Sequence, residues 1–272
     1  MRHSLRLARR LWPLALWPLL SFGQTGSATQ PAGATAPPPA PSRDTVLVAG
    51  ATGRTGRLVL GQLKADGRFE VRALARDTGK AAREIGADFA WVAGDVTRPE
   101  SLEAPMRGVA YVICAIGATE RSGPNGPEFV DYGGVKNLTD AARRAGARQL
   151  VLVSSIGAGG EGGFTRWILN LIGGDVLVWK ARGEDYLRRS GLGYTIIRPG
   201  GLGDAPGGAV GLRLAQGDTE FGDITRADTA AVAIAVLGNA EATGKTFEVI
   251  SDKDAPLNAW RKAFAGLKRD PP

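Results

Sequence analysis

Three glycines at three-residue spacing, Gly50, Gly53 and Gly56, separate the apolar run Val46-Leu47-Val48-Ala49 from Leu58-Val59-Leu60. The loop reads Gly50-Ala51-Thr52-Gly53-Arg54-Thr55-Gly56. Glycines so placed let a chain turn sharply out of a strand, bring its backbone against a pyrophosphate and pack the next helix closely, while the helix's free N–H groups face the phosphates. A lone glycine pattern is weak, but one that follows a strand, opens a helix and starts a βαβ unit has the context that nucleotide binding requires. A merely structural Gly-rich turn is the alternative. The second apolar run ends in Ala73-Leu74-Ala75 and is followed by Arg76 and Asp77. A carboxylate at this point suits the ribose hydroxyls of NAD, and a cation suits the 2′-phosphate of NADP. Arg54 and Arg76 could converge on one phosphate through charge-assisted hydrogen bonds. Solvated loop arginines are the plainer reading of the pair. The expected cofactor is NADP, with NAD kept as an option by Asp77.

Two scarcities exclude whole classes of chemistry. The single histidine is His3, inside an N-terminal leader, so the body has no imidazole to serve as base or metal ligand. Ser-His-Asp hydrolysis and histidine-bearing zinc sites are thereby ruled out, and no metal is expected. The single cysteine, Cys114, lies in the apolar run Val109 to Ala115, where a buried strand cysteine is expected rather than a reactive thiol. Lys and Arg number 34 against 27 Asp and Glu, but four arginines fall in the leader, which leaves the body nearly neutral. A nucleic-acid partner would call for a concentrated basic face, so none is expected.

The elements that must hold these residues alternate along the chain. Strands are expected at Thr45–Ala49, Glu70–Ala75, Phe89–Ala93, Val109–Ala115, Gln149–Ser154, Tyr194–Arg198 and Thr246–Ile250, with helices at Thr55–Ala65, Val130–Ala145, Val176–Arg189 and Ala227–Leu237. The alternation predicts an α/β fold with a single doubly wound, mostly parallel sheet, helices on both faces and a ligand crevice at the strands' carboxyl ends. This Rossmann domain is expected over 44–272. Ahead of it, Arg2 to Arg10 are basic, Leu11 to Phe22 apolar, and small residues follow, the order of a signal peptide. A leader over 1–28 and a Pro/Ala-rich linker over 29–43 are expected. The apolar run is too short for a stable membrane span. Export, in particular to a periplasm, is the favoured reading, with organelle import or an uncleaved cytoplasmic tail as alternatives.

Taken with the glycine loop, the segments Gly94-Asp95-Val96, Val130 to Asn137, Val153-Ser154-Ser155-Ile156-Gly157, Trp179-Lys180 and Tyr194 to Gly200 resemble the atypical short-chain dehydrogenase/reductase family of the NmrA-like, NAD(P)-binding type. The resemblance implies that Asp95 and Val96 line an adenine pocket. It further implies that Ala115, Ile116 and Gly117 border the adenosine ribose, and that Pro199, Gly200 and Leu202 approach the nicotinamide. On residue chemistry alone, Asp95 could cap a helix starting near Pro99, and Pro199-Gly200 could be an ordinary turn.

Active members of the larger superfamily carry a Ser and a Tyr-x-x-x-Lys pair, whose spacing puts Tyr and Lys on one helix face. Ser155 matches the serine and Lys180 the lysine, which also holds the nicotinamide ribose, but Val176 stands where the tyrosine belongs. Three readings follow. Another group, such as Tyr132 or a water held by Ser155 and Lys180, supplies the proton of an NADP(H)-dependent oxidoreductase acting on a small carbonyl or alcohol. Alternatively the fold binds NADP(H) without turnover, as a sensor or assembly factor acting through a protein partner. The third reading is an isomerase or lyase-like reaction. The substrate stays unnamed, because 157–175 and 201–221 are mostly glycine and apolar residues.

Overall fold

Apolar, β-branched segments buried on both sides form the centre of the molecule. The structure is a computed structural model that describes residues 43–159 and 175–271; the expected leader, nearly all of the linker and most of 157–175 lie outside the described residues. The strands are β1 (Thr45–Ala49), β2 (Glu70–Ala75), β3 (Ala90–Ala93), β4 (Val109–Cys114), β5 (Gln149–Val153), β6 (Gly193–Pro199), β7 (Gly201–Gly203), β8 (Gly211–Ala215), β9 (Asp223–Thr225) and β10 (Lys245–Asp252). Eight of them form one sheet in the order β3-β2-β1-β4-β5-β6-β10-β8. All neighbours run parallel except β10 and β8, an antiparallel pair at the edge. β7 and β9 pair separately as a small parallel sheet.

The helices are α1 (Arg54–Asp66), α2 (Thr78–Ile85), α3 (Glu103–Met106), α4 (Val135–Arg144), α5 (Val176–Arg188), α6 (Arg226–Ala235) and α7 (Trp260–Ala263). Successive strand side chains point to opposite faces, so one β1 strand feeds two cores. Val46 and Val48 pack with Val59, Leu60 and Leu63 of α1 and with Val232 and Ile234 of α6. Leu47 and Ala49 pack on the other face with Leu138 of α4 and Leu187 of α5. Helices therefore cover both faces, as a mostly parallel sheet requires.

One expected helix divides. The stretch expected as Val130–Ala145 is a π-helical turn, Glu128–Gly134, that runs into α4. Such wider turns occur often at functional sites, because they re-aim side chains within a helix. Here the turn carries Asp131, which is buried.

Candidate functional site

β1 and β4 lie side by side, but the chain leaves them in opposite directions across the sheet, which opens a crevice beyond their carboxyl ends. A larger cavity of about 790 Å³ and a smaller one of about 200 Å³ meet there, sharing Gly53, Ala115, Ile116, Gly117 and Thr119. Gly50, Thr52, Arg76, Asp95 and Val96 line the small lobe. Arg54, Thr55, Ser155, Lys180, Pro199, Gly200 and Leu202 line the large one. Ala51 and Gly56 lie beneath the loop, fully or largely buried, and shape it without lining either lobe.

The glycine loop is forced by close contacts. Gly50 has φ +79°, and a Cβ there would lie 2.4 Å from the Ala115 carbonyl oxygen. At Gly56 a Cβ would come within 2.0 Å of the Gly50 carbonyl oxygen, so the helix packs against bare backbone. Gly53 is the N-cap of α1, no side chain caps the helix, and its first turn holds no acidic residue. The free N–H groups and positive end of the dipole are thus unopposed where a pyrophosphate would sit, and the loop fits a dinucleotide.

Arg54 and Arg76 are not brought together. Arg54 Nη1 donates to Asp204 Oδ2 at 2.9 Å, and Asp204 Oδ1 accepts from Arg226 Nη1 at 2.6 Å, so this bridge belongs to the large lobe. Arg76 Nη1 instead donates to Asn125 Oδ1 at 3.2 Å beside the small lobe. Asp77 accepts the Lys80 backbone N–H at 2.8 Å and caps α2. Its carboxylate is therefore engaged locally, while the Arg76 guanidinium faces the lobe. Asp95 caps no helix. Its Oδ1 accepts both the N–H of Thr97 at 2.9 Å and its hydroxyl at 2.8 Å, a tight turn that leaves the residue lining the small lobe.

At the far end of the large lobe, the adjacent serines differ. Ser154 Oγ donates to the buried Glu184 Oε1 at 2.6 Å, whereas Ser155 Oγ donates only to the Ile156 carbonyl at 3.0 Å. Lys180 Nζ lies 2.7 Å from Asp131 Oδ1. Val176 is one helical turn before Lys180 on α5 and brings no hydroxyl. Tyr132 lies against Trp179, ring centroids 6.1 Å apart and planes tilted by 31°, and is not among the described lining residues. Tyr186 donates to Asp140 at 2.7 Å, and that bond raises its phenol pKa. Neither tyrosine replaces the missing one in this arrangement. Cys114 is fully buried, and burial pushes its thiol up to about 12, consistent with a core residue.

Sequence reasoning assigned no role to Asp131, Asp218 or Arg226. Asp218, at φ +59°, accepts the backbone N–H groups of Gly157 at 2.7 Å and Gly159 at 3.0 Å and so holds the loop after β5. Asp131 lies inside the matching segment Val130 to Asn137, which marks the stretch without singling out the residue. Asp218 and Arg226 lay in stretches without a recognisable motif.

Fold and cleft together define a nucleotide-binding protein of oxidoreductase type. Residues 50–240 match the family described as NAD(P)H-binding, and the chain belongs to that family. It is 35% identical over 262 residues to sanguinarine reductase from Eschscholzia californica, covering 82% of this chain and 94% of that protein. It is also 34% identical to the chloroplastic protein TIC 62 from Arabidopsis thaliana, where the match covers 80% of this chain but 37% of the longer relative. Among solved structures, ChuY, an anaerobilin reductase from Escherichia coli O157:H7, superposes with a TM-score of 0.64 at 27% identity, covering 78% of this chain and 99% of that one. Among the described residues no helix is long and apolar enough to cross a membrane.

Proposed function

We propose that this protein is an NADPH-dependent reductase of a small carbonyl compound. The observation that carries the reading is that Ser155 and Lys180 line the same cavity as Arg54 and Thr55 of the α1 first turn and Pro199, Gly200 and Leu202 opposite. In this reading the Gly50–Gly56 loop holds the pyrophosphate, Arg76 takes the 2′-phosphate, Asp95 and Val96 flank the adenine, and Ala115 to Gly117 border its ribose. When bound, the dinucleotide supplies a hydride. Lys180 holds the nicotinamide ribose through its ammonium donors, and Ser155 Oγ orients the substrate oxygen. A water held between Ser155 and Lys180 passes the proton that a tyrosine would otherwise give. The two relatives named as reductases support the reaction class.

Steady NADPH oxidation across a carbonyl panel, run beside calorimetric binding of NADPH and NADH, tests the reading. Turnover with preference for NADPH is expected. Tight NADPH binding without turnover would favour a second reading, a non-catalytic NADP(H)-binding protein acting through a protein partner, which Val176 at the tyrosine position supports. We also assign 1–28 to a removable leader and 29–43 to a linker ahead of the domain at 44–272. Organelle import is favoured over periplasmic export by the chloroplastic relatives, and N-terminal sequencing of the native protein should then begin near Thr29.

A further inference from the structure

We infer that Asp131 is the positioning residue of this site: its carboxylate fixes the Lys180 ammonium in the cleft and ties it to the loop bordering the ribose. The inference rests on the reading of Lys180 as the residue that holds the nicotinamide ribose. The Asp131 side chain is 0% exposed and that of Lys180 is 17% exposed, with 2.7 Å between Asp131 Oδ1 and Lys180 Nζ. The second carboxylate oxygen accepts the Ala118 N–H at 3.1 Å. Ala118 lines the large lobe together with Ile116 and Gly117. One buried carboxylate thus joins the lysine to the chain that follows β4.

The surrounding backbone is built to hold this geometry. Asp131 belongs to the π-helical turn, whose extra residue changes the direction of the side chains it carries. α5 presses onto that turn at Gly183, where a Cβ would lie 2.7 Å from the Asp131 carbonyl oxygen. Lys180 and Asp131 therefore sit on two closely apposed helical segments.

A buried carboxylate is costly without a partner, and a free lysine has many rotamers to lose on binding. The pair answers both. The 2.7 Å approach is an ion pair without hydrogen-bond alignment at Asp131 Oδ1, so charge holds the ammonium in place while its donors stay available to hydroxyls or water in the cleft. Lys180 is consequently ordered before any nucleotide arrives, and the entropy of fixing it is not charged to binding.

Two cycles of substitutions test this. In ligand-free thermal unfolding, Lys180→Met strands the Asp131 charge and should lower Tm by several degrees, while Lys180→Met with Asp131→Asn should recover most of the loss. In calorimetry, Asp131→Asn, which keeps an oxygen for the Ala118 N–H, should weaken NADPH about tenfold. In the Lys180→Met background the same substitution should change affinity less than about twofold, because a residue that acts through another has nothing left to position. Lys180→Arg, which keeps a cation opposite Asp131, should retain more of both Tm and affinity than Lys180→Met, so the test survives an Asp131 variant that fails to fold. Additive losses in either cycle, or unchanged NADPH affinity in Asp131→Asn, would overturn the inference. If the unmodified protein binds no NADPH, the proposed function falls by itself, and the ligand-free cycle still decides whether Asp131 fixes Lys180.

Discussion

Arg76 and Asp77 are neighbours in the chain, yet their side chains have separate tasks. Asp77 is engaged in capping α2, and among the described residues Arg76 is held only by an exposed 3.2 Å contact to Asn125. A solvent-exposed polar contact of this kind is weak and readily exchanged, whereas a phosphate offers a guanidinium charge-assisted bonds. Arg76→Ala should therefore cost about 1 to 3 kcal/mol in NADPH affinity with little change for NADH. Calorimetry showing equal losses for both nucleotides would refute the assignment. The position one turn before Lys180 gives a second test. Val176→Tyr would restore a phenol to the Lys180 face of α5. A rise in carbonyl reduction is expected if the cleft presents substrate to the nicotinamide, and an unchanged rate in a steady-state assay would shift weight to the non-catalytic reading. Ser155 and Lys180 were legible because their segments match a known pattern in order and spacing. Asp131 was not, since nothing in a sequence reveals that a carboxylate is buried until two helices pack around it.

Elements were legible in proportion to how strongly burial marks them. The seven parallel strands of the large sheet lie in largely apolar runs, and β1 and β2 match the expected residues at both ends while the other five differ by one or two residues; the antiparallel edge strand β8, with Gly211 and Arg213 in its five residues, was not expected. β7 and β9, three residues each and partly glycine, carry no periodicity, although β7 lines the cleft. The helix expected over Val130–Ala145 looked uniform because an apolar stripe does not distinguish a π-helical turn from α-helix. The glycine loop was legible as a pattern, but only the structure separates its glycines by task. A Cβ at Gly56 would lie 2.0 Å from the Gly50 carbonyl oxygen, so Gly56→Ala must displace backbone and should lower Tm clearly. Gly53 has φ −76° and ψ 165°, which a β-branched residue adopts readily, and its Cβ would approach the Gly50 oxygen only to 3.2 Å. Gly53→Val should accordingly fold with a much smaller loss of Tm and still fail to bind NADPH or NADH, because the added side chain fills the space a pyrophosphate needs. Equal Tm losses in the two variants, or retained binding in Gly53→Val, would show that the loop's glycines serve packing alone.

Across the whole molecule, a buried ionic cluster ties the sheet to α5 below the Ser155–Lys180 end of the cleft. Glu184, fully buried on α5, accepts from Ser154 at 2.6 Å, from Arg198 Nη2 at 2.7 Å and from Arg188 at 2.8 Å. Its three partners come from the end of β5, from β6 and from its own helix, so the carboxylate is well compensated. Glu248, on β10, is as deeply buried but is held more weakly, with Arg198 Nη1 at 3.4 Å. Burial raises its carboxyl above the ordinary 4.5, and Arg198 and the Asp218 backbone only partly oppose that shift. A carboxyl with a raised folded-state value binds its proton more readily in the native than in the unfolded chain. Stability then falls as pH rises from about 4.5 through that raised value, the reverse of a paired surface carboxylate. Glu248→Gln removes the charge while keeping the size and an oxygen for Arg198, which retains its bonds to Glu184. The variant should gain Tm at neutral pH, and the gain should shrink as pH falls from the raised value toward about 4.5 and level off below it, where Glu248 is protonated in both states. Calorimetric unfolding between pH 4 and 8 would check it: a loss of Tm at neutral pH would instead mean that the Glu248 carboxylate is a net stabilising partner of Arg198.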